Sequence, residues 1–173
     1  MTGGSPASPA RWAFWVPAVL GVAADLVSKH FAFAFLLATP HKRHPLLGSW
    51  LVLQLERNKG GVFGVLQGRG YLFVALTVIA LGVVLWMLWA TKPEQWLMQL
   101  ALGLVVAGAV GNLVDRLWFG HVRDFIYIEV IRWPAFNVAD MCICVAAGLL
   151  AIEILRAEVR ERAEAKANAK GKD

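Results

Sequence analysis

The sequence predicts a membrane protein that is mainly α-helical, with four transmembrane helices and a small β-sheet and loop region outside the bilayer. Three observations support this fold class. Hydrophobic residues make up 58% of the 173 residues and charged residues only 17%, whereas soluble domains are about one quarter charged. The apolar residues are gathered into four long runs, and about 20 such residues span a bilayer. Between the runs, two segments alternate apolar and polar residues as strands do.

The four apolar runs predict one integral membrane domain over residues 1–160 and a charged tail over residues 161–173. The first run is too long for a cleaved signal peptide and has no obvious small-residue cleavage site, so it is expected to stay as a helix. The second run contains no charged residue. The predicted transmembrane helices lie at about residues 12–38, 71–90, 96–114 and 138–155.

The loops divide unequally between the two sides of the membrane. Four spans place both termini on one side and the long links, residues 39–70 and 115–137, on the other. Within these links, Ser49–Glu56 and Val122–Ile131 alternate, and Asp124 falls in an apolar row with Val130. A small sheet resting on the helix ends would explain both patterns, and chemistry tends to lie in such loops.

Composition excludes several classes of function. The net charge of +5 comes with six Lys or Arg residues that are mixed with Glu in the tail, which favours contact with lipid headgroups over nucleic acid. Lys and Arg number eight on the terminal side and nine on the long-loop side, so charge does not set the orientation. Cys142 and Cys144 point to different helix faces. His41 and His44 lack acidic or cysteine partners, so no metal site is predicted.

Charged residues within the first helix require an explanation. Asp25 and Lys29 are four residues apart and share one face. They are interpreted either as a structural ion pair or as a pair that positions an active site. Ser28 and Lys29 suggest a serine–lysine protease, but adjacent helical residues diverge by about 100°, which disfavours it.

The third helix combines small residues with polar ones. Small residues recur every four positions and predict close helix packing; they are Gly103, Ala107 and Gly111. Asn112, Asp115 and Arg116 follow on one face. Arg116 can donate two parallel hydrogen bonds to a carboxylate. Asp115 is consistent with a helix cap and a surface ion pair, whereas Asn112 still lies inside the apolar run.

Asp124 and Asp140 are both set among apolar residues. Asn137 and Asp140 have the spacing of a helix cap, and for this pair alone a cap is the preferred interpretation. The similar setting of Asp124 adds a second interpretation. Two carboxylates held close in a low dielectric cannot both stay ionised, so one can act as base and the other as acid in amide hydrolysis. Which one starts as the base is left open, although the helix dipole favours ionised Asp140.

The sequence resembles the bacterial lipoprotein signal peptidases, or signal peptidase II, a family of aspartic membrane proteases. The similarity extends from the first helix to the fourth. Five segments occur in family order: DLVSK (25–29), NKGGVF (58–63), GNLVDR (111–116), GHVRDF (120–125) and FNVAD (136–140). Residues 59–62, Lys-Gly-Gly-Val, depart from the usual family loop.

The resemblance implies an endopeptidase that cuts diacylglyceryl-modified prolipoproteins just before the lipidated cysteine, without a cofactor. It implies Asp124 and Asp140 as the catalytic pair. It also implies six residues that shape the substrate site: Asp25, Lys29, Asn58, Asn112, Arg116 and Asn137. The expected protein is a monomer in the bacterial cytoplasmic membrane, with membrane lipids around it, both termini in the cytoplasm and an extracytoplasmic sheet. The alternative is a small proton-coupled carrier or channel subunit, since membrane carboxylates often relay protons.

Overall fold

Four long helices form the body of the protein. The structure, a computed structural model, describes residues 11–60 and 69–170. Each helix has an apolar stretch long enough to cross a membrane, so the four predicted spans are confirmed. The helices are α1 (Trp12–Ala38), α2 (Gly70–Ala90), α3 (Trp96–Phe119) and α4 (Val138–Lys170).

Two helices run beyond their predicted ends. α3 continues to Phe119 and α4 to Lys170. The segment predicted as a charged tail is therefore helical up to Lys170. Its Ala, Glu and Arg residues are strong helix formers, and Glu158 pairs with Arg162 one turn later.

Glycines let α3 pack tightly between α1 and α4, as the small-residue spacing predicts. A Cβ atom at Gly103 would lie 2.4 Å from the carbonyl oxygen of Phe14 in α1. A Cβ atom at Gly111 would lie 2.4 Å from Oδ2 of Asp25 in α1 and 3.3 Å from Cβ of Ala139 in α4. Only glycine permits these approaches, which bring polar groups of three helices to one place.

An antiparallel sheet of four strands, ordered β1-β2-β3-β4, covers one end of the helices. Phe33 and Leu36 of α1 pack against Phe125 of the sheet. At the other end of the bundle, the Arg11 guanidinium donates to the carbonyl oxygens of Leu88 and Thr91. The strands are β1 (Arg43–Leu47), β2 (Leu51–Asn58), β3 (Val122–Ile128) and β4 (Trp133–Phe136).

The sheet confirms the two predicted strands with changed limits. The second pattern ends at Ile128, because Glu129–Ile131 forms a 3₁₀ turn. Val130 therefore does not belong to the same strand face as Asp124, and that part of the prediction is wrong. The sequence also predicts a short apolar segment at residues 62–66, which lies outside the described residues.

Candidate active site

Asp124 lies in β3 and is almost fully buried, with 1% of its surface exposed. Both of its carboxylate oxygens accept hydrogen bonds from asparagine amides. Asn137 Nδ2 donates to Oδ1 at 2.6 Å, and Asn58 Nδ2 donates to Oδ2 at 3.1 Å. Asn58 itself is held by a turn in which its Oδ1 accepts from the Gly60 N–H at 2.9 Å. The apolar row that includes Asp124 thus points into the protein.

Asp140 lies in the first turn of α4 and caps this helix. The Asn137 N–H donates to Asp140 Oδ2 at 3.1 Å, and the Asp140 N–H donates to Asn137 Oδ1 at 3.0 Å. These reciprocal bonds form the predicted cap. The second oxygen of Asp140 is used elsewhere, since Asn112 Nδ2 donates to Oδ1 at 2.9 Å. Asp140 therefore belongs both to the cap and to a larger polar network.

Two asparagine amides connect the aspartates. Asn137 Nδ2 donates to Asp124 and also to Asn112 Oδ1, the latter at 3.1 Å. Asn112 in turn donates to Asp140. Because each amide has a donor end and an acceptor end, these contacts fix the orientation of both asparagines. The structure thus brings Asp124 and Asp140 into one hydrogen-bonded group.

A cluster of charges lies beneath this group. Lys29 Nζ is 2.7 Å from Asp25 Oδ2 and 3.3 Å from Asp115 Oδ2, and all three side chains are fully buried. Lys29 also donates to Asn112 Oδ1 at 3.0 Å. Asp25 Oδ1 accepts from the Ala139 N–H at 2.9 Å. The Asp25–Lys29 pair is therefore both an ion pair and a support for the first turn of α4.

Asp115 is a correction to the sequence analysis, which placed it in a surface ion pair. It is fully buried and binds Lys29 and Arg123. Its spacing of three residues from Asn112 puts both on the inner face of α3, and this signal was present in the sequence. Arg123, by contrast, was not singled out, because it occupies a polar position of an alternating strand, where an exposed side chain is expected.

Arg116 differs from the expected carboxylate clamp. Its two terminal nitrogens donate to backbone carbonyl oxygens, of Asn112 and of Gly60, each at 3.4 Å. Its guanidinium also lies 5.0 Å from the centre of the Phe73 ring. Arg116 therefore ties α3 to the end of β2 and to α2.

A cavity of about 1220 Å³ opens beside the two aspartates. Asn58, Asn112 and Arg116 line its polar end together with Asp124 and Asp140. The walls away from this end are mostly apolar; they include Phe73, Leu76, Ala80, Val105 and Ile143. This shape suits an apolar chain that ends in a group to be hydrolysed.

Other candidates from the sequence lie apart from this chemistry. Ser28 Oγ donates to the Asp25 carbonyl oxygen at 3.0 Å, so it does not form a pair with Lys29. The His44 ring packs edge-on against Phe35. Cys142 and Cys144 are free thiols. Within residues 11–60 and 69–170, no group of three or more His, Cys, Asp or Glu side chains could hold a metal ion.

The electrostatic environment favours the protonated form of Asp124. The pKa of Asp124 is raised from 3.8 to about 7, first by burial and second by the nearby charge of Asp140. The amides of Asn58 and Asn137 oppose this rise only in part. At a pH of about 7, a fraction of Asp124 therefore carries a proton.

The fold and the buried polar site define a polytopic membrane enzyme. Two solved structures, each described as a bacterial membrane enzyme, superpose on the chain with TM-scores of 0.73 and 0.70. Their sequence identities are 29% and 30%. The alignments cover 82% and 81% of this chain, and 86% and 90% of theirs.

Sequence comparison identifies the family. Residues 17–156 match the family model of signal peptidase (SPase) II. A lipoprotein signal peptidase of Halalkalibacterium halodurans is 40% identical over 69% of this chain and 78% of its own length. One from Syntrophotalea carbinolica is 37% identical over 84% of this chain and 92% of its own. The chain therefore belongs to the signal peptidase II family, and it is a multi-pass bacterial membrane peptidase.

Proposed function

We propose that the protein is an aspartic endopeptidase in which Asp124 and Asp140 form the catalytic pair. The observation that carries this proposal is the link between the two carboxylates through Asn112 and Asn137 at the polar end of the cavity. Two carboxylates in unequal environments supply both groups that amide hydrolysis needs, a base for water and an acid for the carbonyl oxygen.

The unequal environments suggest a role for each aspartate. Asp140 stands at the positive end of the α4 dipole, and each of its carboxylate oxygens accepts an N–H hydrogen bond. It would take a proton from water as the water oxygen attacks the scissile carbonyl carbon. Protonated Asp124 would donate to the carbonyl oxygen. As the C–N bond breaks, the proton on Asp140 passes to the leaving nitrogen. One hydroxyl of the tetrahedral intermediate returns its proton to Asp124 as the carbonyl re-forms, which restores the starting state of both aspartates.

The other predicted site residues have supporting roles in this scheme. Lys29 and Asn137 fix the amide of Asn112, and Asp25 holds Lys29. Asn58 and Arg116 line the cavity beside the pair. This fixed arrangement matters because small displacements of catalytic groups lower the reaction rate strongly.

The proposed substrate is a prolipoprotein whose cysteine carries a diacylglyceryl group, cut just before that cysteine. The relatives named lipoprotein signal peptidase support this choice, and the apolar cavity walls are compatible with acyl chains. The proposed orientation has both termini in the cytoplasm and the sheet outside. A reporter fused to the carboxyl terminus should then be active only as a cytoplasmic reporter. Monomeric function remains a prediction.

A carrier or channel subunit is the weaker candidate. A proton relay needs ionisable groups through the span, but α2 has no Asp, Glu, Lys, Arg or His between Gly70 and Ala90. The buried charges of α1 and α3 gather near the sheet instead. No comparison favours a carrier.

The deciding experiment uses the purified full chain in detergent with two precursors that differ only in the diacylglyceryl group. We expect the lipidated precursor to be cut before its cysteine and the unmodified one to remain intact. Asp124→Asn protein is the matched control for a contaminating protease. Equal cutting of both precursors would contradict the proposed substrate class.

A further inference from the structure

Arg123 is held at the edge of the site by two kinds of contact. Its backbone N–H donates to Asp115 Oδ2 at 2.9 Å, while Nε and Nη2 donate to Asp115 Oδ1 at 3.0 and 2.7 Å. Its guanidinium carbon lies 4.4 Å from the centre of the Phe119 ring and 5.9 Å from that of Phe33. Polar and cation–π contacts together fix this side chain in one orientation.

The charge balance of the buried cluster depends on Arg123. Asp25 and Asp115 are fully buried and share a single cation, Lys29. Arg123 is the fourth charge and makes the cluster neutral. Without it, two buried carboxylates would depend on Lys29 alone, and a buried negative charge without a full counter-charge is strongly unfavourable. The smallest structural adjustment would be a movement of Lys29 toward Asp115, because the present distance of 3.3 Å between Lys29 Nζ and Asp115 Oδ2 can still shorten.

Such a movement would reach the catalytic group through Asn112. Lys29 donates to Asn112 Oδ1, and this bond helps to keep the opposite end of the amide, Nδ2, directed at Asp140 Oδ1. If Lys29 shifts toward Asp115, Asn112 loses a donor that fixes its orientation. Asp140 then loses its hydrogen bond from Asn112 or keeps it in a displaced position.

We propose that Arg123 is a positioning residue for Asp140, which acts by neutralising Asp115 so that Lys29 stays bound to Asn112. This inference rests on the proposed catalytic pair. Arg123 is not among the described residues that line the cavity, so its loss should affect turnover and leave substrate binding nearly unchanged.

The test measures kcat and KM for cleavage of lipidated precursor by purified, folded variants. Arg123→Gln should lower kcat by about 10- to 100-fold, because a displacement of about 1 Å can cost about 100-fold in rate, with KM within about twofold. Arg123→Lys keeps the charge and should recover part of kcat. The double variant Asp115→Asn/Arg123→Gln removes one charge of each sign, so it should recover most of it.

A matched control is Arg43→Gln, which removes a half-exposed arginine of the same sheet that pairs with Glu129 at 2.5 Å. It should leave kcat and KM unchanged. If Arg123→Gln does not fold, the double variant Asp115→Asn/Arg123→Gln still tests the proposal. The proposal requires the kcat of this double variant to be close to that of the wild type.

The outcomes separate this inference from the proposed function. A folded double variant with kcat lowered tenfold or more would overturn the positioning role, as would a loss in Arg123→Gln that appears only in KM. In contrast, full activity in Asp124→Asn or Asp140→Asn would overturn the catalytic pair itself.

Discussion

Replacing Asp140 with asparagine separates the two functions that this carboxylate combines, the helix cap and the proposed catalytic base. The asparagine oxygen can still accept one hydrogen bond, either from the Asn137 N–H or from Asn112 Nδ2. Its new NH₂ group then faces the remaining donor. Asn112 cannot simply turn around, because its own oxygen accepts from Lys29 and Asn137. One hydrogen bond is therefore lost, together with the charge.

The two functions predict very different magnitudes. A lost cap or hydrogen bond costs about 1 kcal/mol of stability. Even if this whole free energy lowered the population of the catalytically competent conformation, activity would fall only about fivefold. Loss of a general base lowers the rate by about 100- to 10,000-fold. The double variant with Asp124→Asn should be little slower than either single one, because groups that act as a unit are non-additive.

The assay compares initial rates of cleavage of lipidated precursor with thermal unfolding of the same samples. We expect Asp140→Asn to unfold within a few degrees of the wild type and to lack measurable cleavage. Asp140→Ala serves as a second variant that removes both cap and charge. A folded Asp140→Asn protein with more than one fifth of the wild-type rate would show that Asp140 is only a cap and would refute the mechanism.

Three further predictions concern pH, packing and inhibitors. The rate should fall as pH rises through about 7, because Asp124 loses the proton it needs as an acid. The raised pKa of Asp124 should also lower the free energy of unfolding as pH rises from 3.8 to about 7, since the folded state holds a proton that the unfolded state releases. Asp124→Asn should lack that part of the pH dependence of unfolding. Gly111→Ala should cost about 1–3 kcal/mol through overpacking and lower the rate, whereas Gly82→Ala, with open space around it, should not. Cleavage should survive metal chelators and the double change Cys142→Ala, Cys144→Ala, and loss of activity with a chelator would contradict the aspartic mechanism.

The helices were predictable because a membrane span is the simplest explanation of each long apolar run. Their ends were less predictable. Hydropathy marks where the apolar stretch stops, but α4 continues to Lys170 because its charged residues also favour a helix. The edge strands β1 and β4 gave no signal, since Pro45 and Pro134 interrupt their patterns.

The site was predictable where residue spacing alone implies contact. The Asn137–Asp140 cap and the Asp25–Lys29 pair are local, and both occur as expected. Contacts between distant segments were not readable in the same way. Arg123 and Asp115 meet because Gly120, at a φ of 71°, ends α3 and turns the chain back along it. Such a meeting depends on the turn, which residue type and spacing do not specify.

The position of the cavity affects how the enzyme should be assayed. Part of its wall is made by membrane-spanning segments, with Leu76 on α2, Val105 on α3 and Ile143 on α4. A lipid-anchored substrate would therefore reach the site by diffusing within the plane of the bilayer. The encounter rate should then follow the number of substrates per unit of membrane or micelle area. Adding empty detergent micelles at constant substrate and enzyme should slow cleavage by surface dilution, although neither bulk concentration changes.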